Sequence, residues 1–329
     1  MRVFVTGGTG FVGANLVRCL LQAGYSVRAL VRPQSRLDNL ADLANDPGLE
    51  IITGSLLDTN LGQKMRNCQG LFHCAAQYSL WQRDYPSLYQ NNVLGTRNIL
   101  QAAREAGISR TVYTSSVAAI GVKSGGVADE TYQSPVEQLI GYYKQSKYWA
   151  EQEAHAAVQL GQDVVIVNPS TPVGPWDIKP TPTGDTILRF LKGQMPAYVN
   201  TGLNWIDVRD VATGHLLALE RGKTGERYIL GHENLSLIAV LGKLSHLTGQ
   251  AVPRFEIPSW LPLGVAWADE KILAKFGKMP TVPLDGVRMS RQVMYYSSTK
   301  AVKQLGLPQS PIDRALEDAV NWFQHYHLV

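Results

Sequence analysis

Residues 2–24, RVFVTGGTGFVGANLVRCLLQAG, decide the fold class. A β-branched apolar run enters a glycine turn. The chain then continues into a segment whose apolar residues recur at helical spacing, with Gly24 placed as its C-terminal cap. Gly7, Gly10 and Gly13 are spaced TGxxGxxG, and Gly8, Gly10 and Gly13 also satisfy GxGxxG. Between a strand and a helix, such glycines supply a tight turn, close backbone approach to a pyrophosphate and close helix–strand packing. The helix N-terminus stabilises the phosphate charge. Thr6, Gly7, Gly10, Phe11, Val12 and Gly13 are thus candidate dinucleotide-binding residues; the plainer reading is a glycine turn without a ligand.

Outward from this unit, SVRALV, LEIIT, GLFHCAA, RTVYTSS and DVVIVNP alternate with amphipathic segments. That alternation is the sequence form of repeated βαβ units and predicts an α/β chain with a Rossmann-type doubly wound parallel sheet over residues 1–170. After NPSTPVGPWDIKPTPTGD, proline and glycine become dense and strand signals such as NWIDV and RYILG are isolated. We expect a smaller C-terminal α/β substrate lobe over residues 171–329, with one or two returns to the main sheet. Ligands in such folds bind at the carboxyl edge of the strands. SWLPLGVAWA (259–268) reads as lobe core or pocket lining rather than a membrane-touching surface, being short and containing proline.

The 329 residues are 45% hydrophobic and 18% charged, ordinary globular usage that argues against disorder. The net charge of +4 is mild and scattered, so nothing demands nucleic acid, although it suits an anionic ligand. Cys19, Cys68 and Cys74 show no metal-ligand spacing and read as buried thiols in a reducing compartment, with no metal expected. The first residues enter a strand pattern at once, and no apolar run approaches bilayer length. The expectation is a cytoplasmic chain with no transmembrane segment.

Two further stretches bear on chemistry. The second strand ends in VRPQSR, where an acid would accept hydrogen bonds from the adenine ribose; Arg32 and Arg36 stand there instead and suit a 2′-phosphate. NADP(H) is therefore preferred over NAD(H), against the reading of both arginines as solvated surface charges. GYYKQSKYWAE (141–151) puts Tyr143 four residues before Lys147 on one helix face, whereas Tyr142 is followed by Ser146 at that spacing. The fifth strand ends in YTSS, bringing Ser115 and Ser116 to the carboxyl edge.

With TGGTGFVG, HCAA (73–76), NNVLGT (91–96), TSS (114–116), Tyr143-x-x-x-Lys147 and NPSTPVGP (168–175) in this order, the chain resembles an extended short-chain dehydrogenase/reductase over essentially its whole length. It is similar to the dihydroflavonol 4-reductase-like group and, on NPSTPVGPWDIKPTPTG and GQMPAYVNTGLNWIDV, to bacterial proteins labelled hopanoid-associated sugar epimerases. The resemblance implies that Tyr143 is the acid/base and that Lys147 lowers its pKa and holds the nicotinamide ribose. It also implies that Ser116 hydrogen-bonds the reacting oxygen and that Asn92 steadies the active-site helix. Ala75 and Ala76 would pass under the cofactor ribose, Leu56 and Leu57 near adenine, and Pro169 and Val173 near the nicotinamide. Relatives often carry an acid in a GDLxD pattern; here GSLLD has Ser55, so that contact is not carried over.

The same residues serve a net carbonyl reductase or a sugar epimerase. Arg32 and the lack of an RPGD-like segment near VRMSRQVMYYSSTKAVKQLG lean toward reduction; Arg209, Arg288 and Arg291 remain to meet an anionic group, as an epimerase would need. A dinucleotide-sensing regulator is a third reading, which the retained Tyr–Lys pair opposes. Gln77, Tyr78, Trp81, Ser116, Thr171 and Tyr198, with Lys179 and Trp205, suggest a mixed aromatic and polar substrate pocket for a small molecule. Homodimerisation through the helices of the sheet domain is a family-level expectation.

Overall fold

The computed structural model describes residues 1–329 apart from 259–262, 265, 267, 268, 270–283 and 327, so most of SWLPLGVAWA lies outside the described residues. Strands β1 (Arg2–Thr6), β2 (Ser26–Val31), β3 (Leu49–Thr53), β4 (Gly70–His73), β5 (Arg110–Thr114) and β6 (Val164–Pro169) are followed by β7 (Thr171–Val173), β8 (Ala197–Tyr198) and β9 (Gly202–Asp207). Then come β10 (Arg227–Leu230), β11 (Glu233–Ser236), β12 (Phe255–Glu256) and β13 (Val293–Met294).

The main sheet has seven parallel strands in the order β10-β6-β5-β4-β1-β2-β3. Strand order reverses between β4 and β1, which opens a crevice at their carboxyl ends. Helices cover both faces, so the central strands are apolar on both sides. Helices Phe11–Gln22, Val208–Arg221 and Thr299–Leu305 bury Leu16, Val17, Leu20, Val211 and Leu305 on one face. Helices Gly95–Glu105 and Gly141–Gln159 bury Ile99, Leu100, Ala150 and Ala154 on the other.

The C-terminal lobe carries its own sheet, β11-β9-β13, with β7 also paired to β9. Its core of Ile187, Phe190, Trp205, Leu241, Leu316 and Phe323 is separate from the sheet-domain cores. Among the described residues the chain returns once to the main sheet, through β10 beside β6. β9 alternates faces as a strand must: Ile206 packs with the sheet domain and Trp205 into the lobe. Trp205 is thus 1% exposed core, not the pocket wall expected from sequence.

Candidate active site

The glycine turn is shaped by contacts that only glycine permits. Gly7 adopts φ +74°, and a Cβ there would lie 2.6 Å from the Ala75 backbone nitrogen. A Cβ on Gly13 would lie 2.1 Å from the Gly7 carbonyl oxygen. Helix Phe11–Gln22 opens at Gly10 in extended conformation with no side-chain cap. Its first-turn N–H groups at Phe11, Val12 and Gly13 therefore face the crevice without a side-chain acceptor, the arrangement that favours an anion. Thr6, at the end of β1, turns inward: its Oγ1 accepts from the Ala75 N–H at 3.2 Å.

A buried hydrogen-bond relay runs from this turn to the Tyr143 helix. Thr96 Oγ1 donates to the Asn92 carbonyl at 2.6 Å, so it accepts from His73 Nε2 at 3.0 Å; His73 Nδ1 then accepts from Thr6 Oγ1 at 2.7 Å. Burial pushes the His73 imidazole down to about 3, consistent with this neutral tautomer. Asn92 Nδ2 donates to the Gln77 carbonyl and to Ser146 Oγ, each at 2.9 Å, while its Oδ1 accepts from the Gln77 N–H at 2.7 Å. Ser146 Oγ in turn donates to the Tyr143 carbonyl at 2.7 Å. Asn92 thus ties the segment after β4 to helix Gly141–Gln159. It does so from a π-helical stretch, Tyr89–Leu94, whose wider turn shifts the side-chain register and is often found at functional sites.

Lys147 is 3% exposed, and its Nζ donates to the Thr114 carbonyl at 2.8 Å and lies 3.5 Å from Tyr113 Oη. Burial lowers its ammonium to about 8, opposed by Glu151. Tyr143, one helical turn before it, sets its ring edge-on to that of Tyr78, the ring centres 4.5 Å apart. Burial pushes the Tyr143 phenol up to about 12, opposed by a hydrogen bond with Ser116. Ser116 is half-buried at the end of β5 and Ser115 is buried behind it, so Ser116 is the serine presented beside Tyr143.

The NAD dependent epimerase/dehydratase family profile matches residues 3–231, the span that holds every feature above. The chain belongs to that family. It is an enzyme of the extended short-chain dehydrogenase/reductase type. It is 67% identical, over 99% of its length and 95% of the relative's, to a Synechocystis sp. protein provisionally named dihydroflavonol 4-reductase. It is 36% identical to sterol demethylase protein B of Methylococcus capsulatus, with both chains fully covered. Among solved structures, the crystal structure of gox2253 superposes with TM-score 0.87 and 45% identity over 99% of this chain and 98% of that one.

In this epimerase/dehydratase family member the remaining sequence candidates divide. Ala75 borders the glycine turn and Ala76 is exposed just beyond it. Leu56 packs on Gly95, and the Leu57 N–H donates to Ser55 Oγ at 3.2 Å, so Ser55 braces its own turn. Arg32 is exposed directly after β2; Arg36 is exposed too, but its Nε and Nη2 pair with Asp38 at 2.8 and 3.1 Å. Pro169 ends β6 and Thr171 opens β7 at the same edge. Val173 is 3% exposed and packs in the lobe core, where Tyr198 also packs.

Gln77 was expected to contact substrate, yet its side chain is already engaged: Asn91 Nδ2 donates to Oε1 at 2.6 Å and Nε2 donates to Ser87 Oγ at 2.9 Å. Tyr78 is exposed beside Tyr143, Trp81 is half-buried nearby and Lys179 is exposed. Arg209 is held by Asp207 and Asp318, and Arg288 by Asp285, leaving neither as a freely available anion clamp. Sequence reading missed Trp176, which adopts φ +77° and lies under Arg18 at 3.5 Å. The Asn15 and Asn39 side-chain amides donate to the Pro175 and Trp176 carbonyls, fastening the loop after β7 to the dinucleotide turn.

Among the described residues no group of histidine, cysteine and acidic side chains is placed to hold a metal ion, and no helix is long and apolar enough to cross a membrane.

Proposed function

We propose that this chain is a nicotinamide-dependent carbonyl reductase, with NADP(H) preferred, acting on a small-molecule ketone or secondary alcohol. The glycine cradle and the uncapped helix start fit a dinucleotide pyrophosphate: they offer N–H donors and a space that a single Cβ would fill. Thr6, Gly7, Gly10, Phe11, Val12 and Gly13 would hold it, with Ala75, Ala76, Leu56, Leu57 and Pro169 along its length and Arg32 toward a 2′-phosphate. When bound, the nicotinamide supplies or accepts hydride.

The observation that carries the reading is the pairing of Tyr143 with Ser116, a phenol and a hydroxyl within hydrogen-bond reach of each other at the carboxyl edge of the sheet. A protonated phenol there can donate to an oxygen that gains negative charge as hydride arrives, as carbonyl reduction demands. Ser116 orients the same oxygen, and the Lys147 ammonium, anchored on Thr114, stabilises the phenolate left after donation. Lys147 would also hold the nicotinamide ribose, and Asn92 keeps the Tyr143 helix in register. The exposed Arg32 and the similarity to a protein named as a reductase support the same direction.

The test combines cofactor titration with Tyr143→Phe. NADPH should bind at least tenfold more tightly than NADH, about 1.4 kcal/mol. Tyr143→Phe should retain that binding while turnover of a screened carbonyl substrate falls by about 10²–10⁴. Tightly retained NAD with no net reduction would favour an epimerase that regenerates its cofactor. An unchanged Tyr143→Phe rate would remove the acid/base assignment.

A further inference from the structure

Four residues beyond Lys147 on the same helix, Glu151 is 1% exposed. Spacings of i, i+4 and i+8 place Tyr143, Lys147 and Glu151 along one helix face. A buried carboxylate is costly unless paired and hydrogen-bonded, and here both oxygens are engaged. Oε1 accepts from Arg227 Nη1 at 3.0 Å, and Oε2 accepts from Asn168 Nδ2 at 2.8 Å. Arg227 is fixed in turn: its Nε and Nη2 donate to the Glu130 and Tyr132 carbonyls at 2.8 Å, and Nη1 also reaches Gln133 Oε1 at 2.9 Å. Asn168 Nδ2 makes a second bond, to the Ser116 carbonyl at 3.0 Å. An amide nitrogen shared between two oxygen acceptors fixes the orientation of that side chain.

We propose that Glu151 is a positioning residue for the reaction centre, acting in two directions at once. Its charge keeps Lys147 an ammonium, and its carboxylate orients Asn168, which fixes the backbone of Ser116. This rests on the reading of Tyr143, Lys147 and Ser116 given above.

The charged and titratable groups facing Lys147 are few. Tyr143 and Glu151 lie on its own helix, Tyr113 comes from β5, and His73 and Cys74 come from the end of β4. His73 is neutral, and burial raises the Cys74 thiol to about 11 and both phenols above their ordinary range. Among these described groups Glu151 is therefore the one carboxyl, its effect on Lys147 reduced but not removed by the Arg227 guanidinium on Oε1. The site also demands two acceptors. A glutamine there would turn one N–H₂ group toward either the Arg227 or the Asn168 donor. If Asn168 rotated to relieve this, its Oδ1 would face the Ser116 carbonyl and that restraint would be lost.

The decisive measurement is the Lys147 titration midpoint, followed by ¹³Cε-lysine NMR of the ligand-free full chain and assigned with Lys147→Arg. In Glu151→Gln the midpoint should fall by about one pH unit, and kcat with a screened carbonyl substrate should fall at least tenfold. Glu151→Asp, which keeps the charge, should hold the midpoint close to that of the parent. Asn168→Ala separates the second arm: turnover should fall at least tenfold while the Lys147 midpoint stays in place. It also keeps the proposal open to refutation should Glu151→Gln fail to fold. An unmoved midpoint in folded Glu151→Gln, or parent-like turnover in Asn168→Ala, overturns the proposal. Failure of the parent to bind either nicotinamide dinucleotide would instead overturn the reductase reading, while the NMR midpoint still reports on Glu151.

Discussion

Gly13 and Gly107 show why a glycine's cost of replacement depends on what surrounds it. Gly107 has φ +72° with nothing within 4 Å of a built Cβ, so Gly107→Ala should cost only the left-handed conformation, about 1 kcal/mol, without touching nucleotide binding. Gly13 has the Gly7 carbonyl oxygen at 2.1 Å, backbone that cannot swing aside. Gly13→Ala should cost about 1–3 kcal/mol in urea unfolding, and because the shifted atoms are those proposed to hold the dinucleotide pyrophosphate, it should weaken NADPH binding at least tenfold by fluorescence titration. Equal loss of nucleotide binding in both variants would show that the cradle is not the binding determinant. Residue-level legibility follows the same division. That Tyr143 and Lys147 share one helix, and that the glycine turn joins β1 to a helix, could be read because backbone geometry fixes their spacing. Gln77 and Trp205 could not, because strings of letters do not record whether an amide is already saturated or which face of β9 meets which core.

At the scale of elements, the alternation of strands and helices in the first 170 residues was readable because period-2 and period-3.6 patterns are strong there. The π-helical stretch Tyr89–Leu94 was not, since its register shift leaves no distinct periodic signal over so few residues. That stretch aims Asn92 at both the Gln77 backbone and Ser146, closing the relay that begins at Thr6. Asn92→Ala would leave the Gln77 N–H and carbonyl without their partner, a penalty of about 1–3 kcal/mol for a buried polar group left unpaired. The helix carrying Tyr143 would lose its tether as well. We expect a lower urea midpoint and a fall in kcat larger than any change in NADPH affinity. Unchanged kcat with the full stability loss would mean that the relay braces the fold and does not position Tyr143.

Over the whole molecule, buried cations and buried acids of high pKa set an unusual alkaline profile. Burial lowers Lys144 and Lys147 to about 8 from the ordinary 10.5. Above pH 8 these lysines release protons in the folded chain while the unfolded chain retains them. The unfolded state then binds more protons, and stability rises with pH. Cys74, raised to about 11, and Tyr143, raised to about 12, have the opposite sign: above pH 9 and 10 respectively the unfolded chain loses protons that the folded chain keeps. The lysine gain should therefore dominate between pH 8 and 9, with the thiol and then the phenols offsetting it at higher pH. Urea midpoints of the ligand-free chain should climb from pH 7.5 to 9 and flatten or fall by pH 10.5. Lys144 makes its one described polar contact with Met294 Sδ at 3.7 Å, so Lys144→Met removes a desolvated charge and little else. That variant should be more stable than the parent at pH 7.5 and should lose about half of the alkaline climb. A parent midpoint that falls steadily from pH 7.5 upward would show that neither lysine is desolvated enough to matter.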